Sequence, residues 1–138
     1  MKLKPLVRCN AALLLILSLI PAGAAPAGAE PEKAEGSLEA LASVYPTPQA
    51  VARFLRKEIR FTPDSRLFNR ADYWLSPEEF LTRRAGDCED YALLAQALLA
   101  LQGREAFVLS LYGPDIYAHT VCVFLEEGRY SVINEDRL

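Results

Sequence analysis

Cys88 stands in the run Gly86-Asp87-Cys88-Glu89-Asp90-Tyr91-Ala92, directly ahead of an apolar stretch that continues to Leu101. Asp87 is a good N-cap and Asp90 falls at N3, so the pattern predicts a helix from Asp87 to Gln102 with the thiol one residue inside its N-terminus. Unpaired backbone N–H groups and the positive end of the helix dipole favour a thiolate there. The thiolate is the form that attacks a carbonyl carbon, and the same N–H groups could hold the oxyanion that results. A thiol needs a base, and the chain offers a single histidine, His119, in Ala118-His119-Thr120-Val121-Cys122-Val123. An imidazole in turn needs an acceptor to fix its orientation. Asn134, which closes the stretch Tyr130-Ser131-Val132-Ile133, is the first candidate and Asp136 the reserve. Cysteine, imidazole and amide in this order suit acyl transfer through a thioester.

Each residue also has a plainer explanation. Cysteine is among the most buried residue types, yet Asp and Glu on both sides of Cys88 argue against deep burial. A Cys88–Cys122 disulfide would silence the site. His119 and Cys122 are three apart on a predicted strand, so their side chains point to opposite faces. If His119 faces Cys88, Cys122 faces away as a core thiol. Trp74 could form part of an oxyanion hole or wall a substrate cleft, but packing is the more ordinary use of tryptophan. Arg83 and Arg84 read as solvated charges at a helix end.

Positioning these groups falls to two kinds of element. Thr47-Pro48 opens a helix to Arg60 with Val51, Phe54, Leu55 and Ile59 on one apolar face. Residues 61–75 lack a period and read as a long loop. Ser76-Pro77-Glu78-Glu79 is a capping box that starts a short helix ending near Arg84. After Gly103, which its position past the apolar run marks as a C′ glycine, the period changes. Ala106–Tyr112, Ala118–Leu125 and Arg129–Asn134 read as strands. Glu126-Glu127-Gly128 reads as a hairpin turn, and Tyr112–Tyr117 as a loop beside the histidine strand. Helices followed by antiparallel strands make an α+β domain, with a buried central helix carrying Cys88 packed on a sheet of about three strands.

The first 29 residues read as a secretory signal. Lys2, Lys4 and Arg8 precede the apolar run Ala11–Ile20, and small residues at Ala22-Gly23-Ala24 and Ala27-Gly28-Ala29 offer cleavage sites. Cleavage after Ala29 is expected, with export to the periplasm or medium and no membrane span left. The apolar run is short against the ~20 residues that a span needs, and Cys9 lies ahead of it, wrongly placed for lipid attachment. Residues 30–46 read as a flexible linker, with ordered structure starting between Ser37 and Thr47, and 47–138 as the domain. Three of the fifteen Lys and Arg fall in the leader, so residues 30–138 carry twelve against eighteen Asp and Glu, a formal charge near −6. That balance argues against nucleic acid and against an anionic membrane surface as partners.

The heptapeptide around Cys88, the lead-in Tyr73-Trp74-Leu75-Ser76-Pro77-Glu78-Glu79-Phe80-Leu81 and a histidine on the following strands resemble the transglutaminase-like superfamily, most closely its bacterial cysteine proteinases. The resemblance covers Tyr73 to Asn134. It implies a papain-like thiol fold, a protein or peptide substrate, Cys88 as nucleophile, His119 as general base, and Asn134 where the family has aspartate. An amide can still orient imidazole, but it adds no charge. Some members bind calcium through acids matching Asp87, Glu89 and Asp90. Helix capping is the favoured use of these acids here, since position 85, where a further acid would help, is alanine, and no cofactor is required. Three carboxylates beside Cys88 would nevertheless raise its pKa unless a cation offsets them. The expected activity is peptide-bond hydrolysis, with transamidation at the same site and a catalytically inactive binding module as alternatives.

Overall fold

The structure, a computed structural model, describes residues 36–114 and 116–138. The expected leader lies outside these residues. Helix α1 (Leu38–Val44), capped by Ser37, occupies part of the stretch read as linker. Helix α2 (Pro48–Glu58) follows, with the Thr47 hydroxyl accepting from the Ala50 amide. Its predicted face is the buried one: Val51, Phe54 and Leu55 are almost fully excluded from solvent.

The stretch read as one loop holds two short elements, β1 (Arg60–Phe61) and the single-turn α3 (Asp64–Leu67). Helix α4 (Pro77–Arg83) has the predicted capping box, Ser76 Oγ accepting from Glu79 N at 3.2 Å and Glu79 Oε2 from Ser76 N at 3.0 Å. Arg84 closes it in the left-handed region, φ 57°. The chain then pairs as β2 (Ala85–Gly86), parallel to β1, and enters α5 (Cys88–Leu101).

Helix α5 is the hub. Leu94, Ala95, Leu98 and Leu99 are fully buried, and α1, α2, α4, β3 and β4 all pack on it. Gly103, φ 74°, supplies the turn at its C-terminus. A three-stranded antiparallel sheet in the order β3 (Ala106–Gly113), β4 (Ile116–Glu126), β5 (Arg129–Ile133) lies against it. The β4–β5 hairpin turns at Glu127 and Gly128, both with positive φ, as the two-residue turn geometry requires. The expected loop 112–117 is shorter than read, because strand pairing runs to Gly113↔Ile116, past a bulge between Leu111 and Gly113.

One glycine is fixed by what surrounds it. A Cβ on Gly86 would lie 2.1 Å from Asp90 Oδ2 and 2.7 Å from the Phe80 ring. Phe80 is fully buried, and both Asp90 oxygens are engaged by main-chain amides, so neither neighbour can yield. Gly86→Ala is expected to cost on the order of 3 kcal/mol and to lower Tm by roughly 10 °C or more. Thermal unfolding followed by circular dichroism checks this.

Candidate active site

Helix α5 begins where three segments meet, and acids stitch them together. Asp90 is fully buried. Its Oδ1 accepts from the Leu75 amide at 2.8 Å and its Oδ2 from the Asp87 amide at 3.2 Å. Asp64, also buried, donates its own amide to Asp87 Oδ2 at 3.1 Å and accepts the Tyr73 amide on its Oδ2. The loop before α4 is thereby tied to the tip of α5. Asp64 and Asp72 come from the stretch read as featureless loop and join the predicted Asp87, Glu89 and Asp90 in one cluster. Asp64 Oδ1 and Asp87 Oδ1 are buried without a hydrogen-bond partner.

Cys88 is the first residue of α5, as expected, and is partly open to solvent. It borders a cavity of ≈ 320 Å³ whose walls include Asp72, Trp74, Tyr112, Ala118 and Thr120. Trp74 is 46% exposed, so it is a wall of this cleft rather than a packing anchor. Its indole N–H is committed to Asp72 Oδ1 at 3.1 Å. A larger cavity of ≈ 530 Å³, lined by Phe68, Tyr73 and Arg83 among others, does not reach the sulfur.

The electrostatics at the sulfur oppose ionisation. Burial pushes the Cys88 thiol up to about 11; the Thr120 backbone amide draws it down, while Glu89 and Asp87 raise it further. The thiol donates to Glu89 Oε2 at 3.3 Å. Glu89 is itself buried and raised to about 8, by burial first and then by Asp87. Burial likewise raises Asp90 to about 6, against the lowering effect of the Leu75 and Asp87 amides. Asp64 is raised by burial too.

His119 and Asn134 are brought together: His119 Nε2 lies 2.8 Å from Asn134 Oδ1. With the amide oxygen turned to it, Nε2–H is the donor in this contact. Asn134 sits just past β5, bridged to Arg137. Asp136 makes no hydrogen bond to the imidazole; its carboxylate faces Arg56 at 3.6 Å and Arg137 at 3.7 Å. The structure does not join His119 to Cys88 by a hydrogen bond. Alternation separates His119 from Cys122, as the spacing predicts, but it is the face of Thr120, Cys122 and Phe124 that lies on α5. Cys122 is a fully buried free thiol, and Cys88 is free as well. The two neighbours of His119, Ala118 and Thr120, line the Cys88 cleft, while the imidazole sits on the other side of β4 beside Leu111.

A family model described as a transglutaminase-like domain matches residues 39–137. No curated protein matches the chain. Among solved structures it is similar to a candidate cysteine protease from Cytophaga hutchinsonii, at 20% identity and TM-score 0.59, over 73% of this chain and 37% of that one. It is also similar to calcium-bound LapG from Legionella pneumophila, at 27% identity and TM-score 0.47, over 64% of this chain and 51% of that one. EGTA-treated LapG matches at 22% identity and TM-score 0.46, over 71% and 68%. The likeness to the Cytophaga protein is one of fold, and the chain spans little more than a third of its length.

Proposed function

This chain belongs to the transglutaminase-like domain family, and from that premise we propose that it is an exported thiol hydrolase, periplasmic or secreted, that cleaves peptide bonds through a Cys88 thioester with His119 as general base. Cys88 passes its proton to His119 and attacks the amide carbonyl carbon. The C–N bond breaks as His119 returns that proton to the leaving amine, and a thioester remains. His119 then takes a proton from water, which attacks the thioester; the C–S bond breaks as His119 returns that proton to Cys88 Sγ, which restores the thiol and releases the acid. Asn134 orients the imidazole throughout.

The observation that carries this reading is the placement of the sulfur. It stands at the tip of a buried helix and opens on a cleft also lined by Ala118 and Thr120, the two neighbours of a histidine paired to Asn134. The reaction requires the imidazole to turn from the outer side of β4 into the cleft. A bulge between Leu111 and Gly113 lies beside the Leu111↔His119 pair, and bulges re-aim neighbouring side chains at active sites.

The acid cluster fits a calcium ion. Its ligands are hard oxygens, and two of its buried carboxylate oxygens lack any partner. Asp64, Asp87 and Asp90 would hold the ion, with Glu89 and Asp72 at its margin. When bound, the ion supplies positive charge beside Cys88 that offsets the carboxylates now holding its proton on.

A non-catalytic binding module is favoured by one observation, the thiol raised to about 11 and bonded to Glu89 rather than to His119. Incubating the protein, with and without calcium, with an unfolded protein substrate and a labelled primary amine separates the readings. New peptide termini are the expected product. Amine incorporation at glutamine instead marks a transamidase, and neither product under any condition overturns the proposal in favour of the binding module.

A further inference from the structure

Strand β5 ends at Ile133, and Asn134, the partner of His119, stands just beyond it. A turn holds it there. Asn134 N donates to Arg137 O at 2.8 Å and Arg137 N to Asn134 O at 3.0 Å. Inside that turn Glu135 occupies the left-handed region, φ 54°, a conformation that a residue with a Cβ keeps only where its surroundings impose it. Among the described residues, two side chains from outside hydrogen-bond to the turn. One is His119 itself, at Asn134 Oδ1. The other is Arg56, in the last turn of α2. Its Nη2 donates to Asp136 O at 2.8 Å, and its Nε faces Asp136 Oδ2 at 3.6 Å.

We infer that Arg56 is a positioning residue: by fixing the turn to α2 it sets where the Asn134 carboxamide stands, and through it the imidazole. The inference rests on the reading of His119 as general base. Without Arg56, the one remaining hydrogen bond to the turn from outside is that of His119, so the imidazole would anchor its own orienting group. A guanidinium suits the task. Its planar fork meets the carbonyl and the carboxylate of one residue together, through charge-assisted contacts. The helix behind it is firmly seated, with Val51, Phe54 and Leu55 buried in the core. The Arg56 side chain is 56% exposed, and an exposed ion pair adds little to stability. Its contribution is therefore to the placement of Asn134 rather than to the fold. Asp136 becomes the handle that Arg56 grips, not a partner of the imidazole.

The single histidine of the chain allows a direct test. In untagged, isotope-labelled protein the imidazole gives one set of magnetic resonance signals, and exchange of its Nε2-bound proton with water reports the bond to Asn134 without any substrate. In mildly alkaline buffer, where imidazoles are neutral, Arg56→Ala is expected to speed that exchange about tenfold, as Asn134→Ala does, with little change in the melting curve. Lys57→Ala, beside it on α2, should leave the exchange at the wild-type rate. In peptide hydrolysis Arg56→Ala should lower kcat about tenfold at unchanged KM, and the double variant with Asn134→Ala should be no slower than Asn134→Ala alone, because the two act in series. Should Arg56→Ala not fold, Arg56→Met keeps the apolar stem, removes the donors and carries the same readouts. Exchange at the wild-type rate without the guanidinium overturns the inference, as does a double variant in which the two losses multiply. Undiminished hydrolysis in His119→Ala overturns the catalytic reading instead, and the exchange rate then decides the role of Arg56 by itself.

Discussion

Replacing Cys88 with serine is expected to lower peptide hydrolysis on the order of 10³-fold or more while leaving the fold intact, and His119→Ala is expected to do nearly the same. Members of a nucleophile–base pair act as a unit, so the double variant should be little worse than either single one. The residual rate comes from binding and from backbone N–H groups such as that of Thr120. Asn134→Ala should be milder, because it removes orientation rather than the reacting groups. The comparison is made on kcat/KM for one peptide under the same calcium concentration. A Cys88→Ser protein with undiminished rate would move the chemistry elsewhere.

In the presence of a chelator the protein is expected to lose stability as pH rises from about 5 to about 8.5, a drop in Tm of roughly 10 °C. The sign follows from the raised carboxyls. Glu89 moves from 4.5 unfolded to about 8 folded, and Asp90 from 3.8 to about 6. The folded chain thus holds protons that the unfolded chain has released. The stability gained this way is complete below the unfolded values and is lost as pH climbs through the folded ones. Calcium should reverse the trend at pH 8, raising Tm by offsetting the same carboxylates, and should do little at pH 5. Differential scanning calorimetry at both pH values, with and without calcium, reads this directly. A melting temperature that rises with pH in chelator would show that the acids are ionised without help.

What the sequence makes legible here is local. Both capping motifs, at Ser76 and Asp87, lie in a few consecutive residues and specify where α4 and α5 start. The apolar body of α5, the alternating strands and the Glu127-Gly128 turn are equally local. Asp64 and Asp72 are illegible as site residues because their stretch has no period. Only the Tyr73 amide and Asp87, reached through tertiary packing, bring Asp64 to the helix tip. The two-residue pairing of β1 with β2 is too short to leave a pattern. Strand parity correctly opposes His119 to Cys122, but parity cannot say which face meets α5. Burial of Cys122 and Phe124 decides that, and it leaves the imidazole on the outer side. Trp74 reads as a core residue from its type alone, and its exposure beside the cleft emerges only once Leu75 is pinned by Asp90.

The pairing of one sulfur with one imidazole is tested most directly by the rate at which iodoacetamide alkylates Cys88 as a function of pH, read by peptide mass in calcium-loaded protein. Rapid, selective modification of Cys88 at pH 7 is expected, with Cys122 untouched in its buried position, and a loss of that reactivity in His119→Ala. A Cys88 rate that stays negligible until pH approaches 11, unchanged by calcium and by removal of the imidazole, would contradict it.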